Sequence, residues 1–340
     1  MSTDLLTDPA AAPARGRPAA PRLRGLLWLS LRQNRVLLRT MLVLLVVVAA
    51  ELVWIHIASQ HTVGVLRRTG CYYPDSWSST RCWTLLSPIN QPNYWFVSIL
   101  QPAVTAVPLL VGVFVGAPLL AQEYERGTIR LIRAQSVSPV RWLAVRLAVP
   151  ALAVLVFSGV VAVLMTWVWW TDIVHGPVAF DPPFQFFTYP ALGVAPVAWS
   201  LFALALGVLV GRLLRRTLPA MFLTGALVAI VHGLVVWARP YFHPVVDEVV
   251  MRDPSLAPTD TVLTLQPTNA WLVDRGVVMP DGSRVGTDAC GGSDWCDGAA
   301  GTWLRYHPAD HLVPIQLVEA GILLALTAVV LVVVFRRIRA

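Results

Sequence analysis

Six stretches of this chain are almost wholly apolar, and each is long enough to cross a hydrocarbon core of about 30 Å at about 1.5 Å per helical residue. They run over 40–57 (TMLVLLVVVAAELVWIHI), 95–121, 146–170, 189–210, 217–237 and 312–335. Ahead of the first, residues 22–39 read RLRGLLWLSLRQNRVLLR. Arg32, Arg35 and Arg39 fall at helical spacing on one face, with Leu and Val on the other. That pattern predicts an amphipathic helix lying on the inner membrane surface, with an inward extension of the first span as the alternative. Residues 1–21 are rich in Ala and Pro, lack periodicity and read as a disordered cytoplasmic tail. Between the spans, the pattern leaves polar outer loops at 58–94, 171–188 and 239–311 and a charged inner loop at 122–145. The expected fold is an all-α polytopic membrane protein. It has six transmembrane helices, an N-terminal inner-surface helix, and a large outer loop between the fifth and sixth spans. Residues 40–340 form one six-span membrane domain.

Composition agrees. The chain is 56% hydrophobic and 13% charged, where a soluble protein carries about 25% charged residues. Its net charge of +7 reflects arginines flanking spans rather than a nucleic-acid surface. All 26 basic residues are arginine. A chain without lysine has no P-loop lysine to reach nucleotide phosphates and no amine for Schiff-base chemistry. With both termini placed inside, the inner segments hold 18 of the 26 arginines, which sets the orientation in the cell membrane by the positive-inside rule. Trp54, Tyr94, Trp95, Trp167, Trp169, Trp170 and Trp237 then fall near the outer interface. The first span does not read as a cleavable signal peptide, because its charged leader is too long and no small-residue cleavage pattern follows.

That orientation places all four cysteines on an oxidising side, so disulfides are the natural reading. Cys71 and Cys82 lie in the first outer loop, Cys290 and Cys296 in the last. Pairing within each loop is favoured by proximity. Cross-pairing stays open at this stage. A zinc site is disfavoured, because the spacings do not match paired CxxC knuckles.

The inner loop, QEYERGTIRLIRAQSVSPVRWLAVR over 122–146, sets seven charged residues between two apolar spans. Arg126, Arg130 and Arg133 share one helical face, and Ile129 and Ile132 occupy another. Gly127 permits a break after the second span, and Thr128 is placed to cap a new short helix. Glu123 and Glu125 precede that helix, where its positive dipole end favours them, and Pro139 limits it. A solvated, topology-setting loop is the alternative.

The residues Glu123, Gly127, Thr128, Ser136, Val137, Ser138, Arg141, Trp142 and Leu143 form the pattern Glu-x-x-x-Gly-Thr, an apolar-basic stretch, then Ser-Val-Ser-Pro-x-Arg-Trp-Leu. This resembles the first cytoplasmic loop of ATP-binding cassette (ABC) type-2 permeases, most closely the actinobacterial ones. YHPADHLVPIQLVEAGILLAL, from Tyr306 to Leu326, is similar to those proteins' approach to the last span. Arg146 departs from the lysine many relatives carry, with the charge kept. The resemblance implies the transmembrane subunit of an exporter that works as a homodimer or a paralogous heterodimer. Each copy docks a separate ATPase subunit, which holds ATP and Mg; this chain binds no cofactor itself. The ATPase-coupling residues would be Glu123, Glu125, Arg126, Gly127, Thr128, Arg130, Arg133 and Arg141.

Two acids sit inside apolar spans, where charge is costly. Glu51 lies about 18 Å from the inner surface and Glu319 about 10 Å from the outer one. With His56 and Gln316 they are candidates to line one substrate cavity favouring a cationic or amine-bearing molecule. The alternative is a carboxyl protonated or bonded to a neighbouring helix. His232 in the fifth span reads as a packing residue. Gly112-x-x-x-Gly116 and Gly207-x-x-x-Gly211 permit close helix approach and are candidates for a dimer face. Pro102, Pro108, Pro118, Pro190 and Pro196 predict kinks. Competing readings are a signalling or immunity protein of the same fold and an intramembrane enzyme. The second lacks an HExxH helix and an adjacent acid pair.

Overall fold

The computed structural model describes residues 23–72, 80–86, 92, 94–127, 138–175, 182–252, 269–291 and 296–339. Six helices in it are long and apolar enough to cross a membrane. The helix of the first span runs over Arg35–Thr69 and that of the second over Trp95–Glu125. The third is Pro139–His175, the fourth Ala195–Leu214, the fifth Thr217–Ala238 and the sixth Leu312–Arg339. Most outrun the apolar windows, because a helix continues through the polar interface once its backbone is paired. The first span gains a dozen residues beyond position 57, where a loop is expected. It stops at Gly70, whose φ of 75° supplies the left-handed cap and whose N–H bonds Leu66 O.

The leader divides differently from its sequence pattern. Its helix covers only Leu23–Gln33 and breaks at Asn34, whose Nδ2 donates to Ser30 O at 2.8 Å. Arg35 and Arg39 therefore belong to the first spanning helix, and only Arg32 stays with the leader. The fourth span also begins later than position 189. Tyr189–Ala191 is a single tight turn, Gly193 takes a φ of 60°, and Pro196 sits in the first helical turn. Pro190 and Pro196 thus mark a turn and a helix start, not kinks.

In the second span the prolines do distort the helix. Segments Trp95–Leu100 and Val111–Gly116 are wound as π-helix. Pro102 and Pro118 have no N–H for the carbonyls of Ser98 and Phe114, which lie inside those two segments. The wider turn redirects the pairing: Gln101 N bonds Phe96 O and Ala117 N bonds Gly112 O.

The fourth span is the axis of the bundle, 67% buried over its apolar window against 11% for the first. It packs on the second through facing glycines. A Cβ on Gly207 would lie 2.4 Å from Gly112 O, one on Gly211 2.3 Å from Ala117 O, and one on Gly116 2.6 Å from Leu204 O. Backbone meets backbone there, so these glycines are used within the subunit and form no dimer face. The interior has two main apolar clusters. One, with Leu52, Ile55, Phe96, Trp169, Tyr189, Leu192 and Ile315, lies toward the sheet. The other, with Leu119, Leu120, Leu143, Leu147, Val208 and Val334, lies toward the arginine-rich end. Trp54, Trp95, Trp167, Trp170 and Trp237 are exposed, as an interfacial belt requires, but Trp169 is buried in the first cluster.

The loop between the fifth and sixth spans adds a four-stranded antiparallel sheet to this helical bundle, in the order β1-β4-β2-β3. The strands are β1 (Val246–Met251), β2 (Trp271–Val278), β3 (Arg284–Gly286) and β4 (Gly301–His307). Gly276 leaves room on the sheet for the Trp303 indole. Arg284 reaches over that ring to Asp247 at 2.8 Å and, by this hydrogen bond, holds the Asp247 carboxyl below its ordinary value. Disulfides join Cys71 to Cys82 and Cys290 to Cys296, each within its own loop.

Candidate functional site

At the arginine-rich end, the second span finishes at Glu125 and Gly127 turns the chain with a φ of 69°. Both glutamates point back into the bundle instead of forward to a new helix. Glu125 accepts hydrogen bonds from the Thr217 N–H at 2.8 Å and the Thr217 hydroxyl at 2.6 Å. It so caps the fifth span, whose first N–H groups have no partner within their own helix. Glu123 Oε1 pairs with Arg146 at 2.6 Å, and Arg146 also donates to Gln33 of the leader helix. Tyr124 lies beneath the guanidinium groups of Arg212 and Arg215, and Arg212 donates to Arg337 O at 3.2 Å. Ser138 caps the third span by accepting the Arg141 N–H at 3.3 Å, with Pro139 next. Arg126 and Arg141 are exposed on either side of the turn. Thr128, Arg130 and Arg133, and with them the expected short helix, lie outside the described residues.

At the sheet end, Glu319 is fully buried and met by four donors. The Tyr189 hydroxyl at 2.9 Å and Arg239 Nε at 3.1 Å bond Oε2, while Trp199 Nε1 at 2.7 Å and Arg239 Nη2 at 3.4 Å bond Oε1. Arg239 is itself buried, its guanidinium 3.7 Å from the centre of the Tyr189 ring. One turn earlier, Gln316 donates to the carbonyls of Tyr189 and Leu192. Gly193 has a positive φ, and a Cβ there would press on Gln316 Oε1, both of which favour glycine. The Gly193 N–H donates to Thr166 Oγ1, and Thr188 donates to Gln101. The turn before the fourth span is thereby latched to the second, third and sixth spans at once.

Gln316 and Glu319 are therefore brought together, but as the latch of a closed core. With all four donors engaged, Glu319 offers no free carboxyl to a cavity. For Glu319 the geometry matches the alternative of a carboxyl bonded to neighbouring helices: a buried carboxylate is tolerated where its lone pairs are filled. Glu51 is half-buried on the first span, and no described contact joins it to that latch. His56 stacks on Trp167, ring centres 4.0 Å apart, and its Nδ1 has no partner. His232 packs 5.0 Å from Trp199 and lines an apolar groove of about 280 Å³ with Pro102, Thr105, Phe187 and Val228. Sequence reasoning passed over Arg239, Tyr189 and Trp199. Arg239 carried a signal: it is a lone arginine at the end of a span where the positive-inside rule expects few.

Six helices long and apolar enough to span, cross-linked at a basic end and latched at the opposite end, describe a multi-pass membrane protein. The family model described as ABC-2 membrane transporter related matches residues 42–239, and the chain belongs to that family. It is an ABC-2 type permease, a class of transport subunit. The match covers the first five spans and ends on Arg239. No curated protein matches the chain, and no solved structure does.

Proposed function

We propose that the chain is the membrane subunit of an ABC exporter, with both termini cytoplasmic and a separate ATPase docked at the arginine-rich end. A second permease copy completes the transporter. The wiring around the turn at Gly127 carries this reading. Glu123 ties the end of the second span to Arg146 of the third, and Glu125 ties it to Thr217 of the fifth. A push on the loop from 126 to 138 is passed at once to three spans, which is what a coupling element must do. Exposed Arg126 and Arg141 flank that loop and present cations to a docked subunit. The exporter direction follows from the family resemblance, and the arginines gathered at this end put it on the cytoplasmic side.

Co-purification tests it. The chain is expressed with the ATPase encoded nearest to it, and the permease is pulled down through a tag. The wild type retains the ATPase, while Arg126→Glu combined with Arg141→Glu loses it and keeps a normal elution profile. Failure of several candidate ATPases to bind the wild type overturns the reading.

A further inference from the structure

His243, His307 and His311 meet where the sheet joins the membrane-spanning helices. They come from three short segments: the chain just past the fifth span, the last residue of β4, and the turn Ala309–His311 leading into the sixth span. Their possible ligand atoms all lie within 4.8 Å of one another. Nδ1 of His307 is 3.1 Å from Nδ1 of His311, and the rings of His243 and His311 are centred 4.1 Å apart.

Two backbone carbonyls fix which ring nitrogen faces the middle. Nε2 of His307 sits 3.2 Å from Pro240 O, and Nδ1 of His243 sits 3.2 Å from Pro244 O. A carbonyl only accepts, so those nitrogens carry the hydrogens. The lone pairs are then left on Nδ1 of His307 and Nε2 of His243. A ring nitrogen donating to a carbonyl while its partner ligates is the usual outer support of a metal-bound histidine. Three nitrogens held about 2.0–2.1 Å from one tetrahedral ion lie roughly 3.4 Å apart, close to the 3.1 Å between Nδ1 of His307 and Nδ1 of His311. The rings are also held in place: His307 is fully buried and packs against Trp271 at 5.4 Å, which stacks on Phe184 at 5.5 Å. His243 and His311 are half-buried, which leaves a side open to solvent.

We propose that His243, His307 and His311 form a binding site for a first-row divalent metal ion of the zinc class, with three imidazole ligands and a fourth position open. Three neutral nitrogens without a carboxylate suit zinc or copper and do not suit magnesium or calcium. The ion pins the end of β4, the start of the sixth span and the exit of the fifth to one point. All three histidines lie outside the region the family model matches. The site stands whether or not the chain exports anything.

The full-length chain is purified in detergent through a tag without histidines, stripped with a chelator and titrated with cobalt(II). One equivalent binds per chain, with the intense visible absorption of tetrahedral cobalt, and zinc displaces it. His243→Gln and His311→Gln each weaken zinc binding at least tenfold and remove that band. His61→Gln, at an exposed position on the first span, leaves both unchanged. X-ray absorption of the zinc-loaded wild type finds three imidazole nitrogens at about 2.0 Å, a result that does not depend on any variant folding. No saturable binding at micromolar metal, a weak octahedral cobalt spectrum, or equal binding by wild type and both variants overturns the proposal.

Discussion

Glu319 shows what one buried charge demands of its neighbours. Four donor groups from three residues converge on its two oxygens, and two of the four belong to Arg239, a buried cation. Removing either partner of such a pair leaves the other charged and dry, at a cost of about 3–5 kcal/mol. Glu319→Leu and Arg239→Met should therefore each lower the melting temperature of the detergent-solubilised protein strongly. The double variant should lose less than the two single losses added, because the stranded charge is gone. Additive losses in a thermal melt monitored by size exclusion would show that the two side chains do not act as a pair. Part of this was legible in the sequence. An acid at that depth had to be lining a cavity or bonded, and Gln316 lies one turn before it on the same helix. Which of the two held was not legible, because the deciding donors, Tyr189, Trp199 and Arg239, come from segments 80 to 130 residues away along the chain. Sequence spacing reports neighbours on one helix, not partners across helices.

Among the elements, the second and fourth spans are the closest pair, and their glycines set the distance. Gly207→Ala should destabilise the protein by about 1–3 kcal/mol, since the added methyl meets backbone atoms that have nowhere to move. Gly233→Ala is the control. Its Cβ meets nothing within 4 Å, so the change should be neutral or slightly stabilising. Equal melting curves for the two variants would remove the argument for close contact. The small-xxx-small pattern was visible in the sequence, but its partner was not. The same pattern serves a helix in the same chain or one in another copy. Span existence was the easiest feature to read, because hydropathy reports lipid contact directly. Span ends were harder, since Thr69, Glu125 and His175 continue helices into water-facing regions where hydropathy no longer discriminates. The sheet was invisible for a related reason: its strands alternate weakly in burial, and β3 is only three residues long.

For the whole molecule, the two ends differ in construction. One gathers the leader helix, both glutamates and the exposed arginines. The other carries the sheet, both disulfides and the latch around Glu319. Single cysteines introduced at Ser138 and Ser283, in a background with the four native cysteines replaced by serine, should be labelled from opposite sides of the membrane by an impermeant maleimide. Ser138 should react only after the cells are opened, and labelling of both from outside would reverse or refute the topology. The latch also bears on how the protein is made. Tyr189, Trp199 and Arg239 all emerge from the ribosome before the helix that carries Glu319. Until that helix inserts, a buried arginine waits at the membrane without its counter-charge, in a state that a quality-control protease can recognise. Chains stopped short of the sixth span should then be cleared quickly, and Glu319→Leu should shorten the lifetime of the full-length chain in the same way. The ion pair that holds the bundle together is thus completed only once the sixth span is in place.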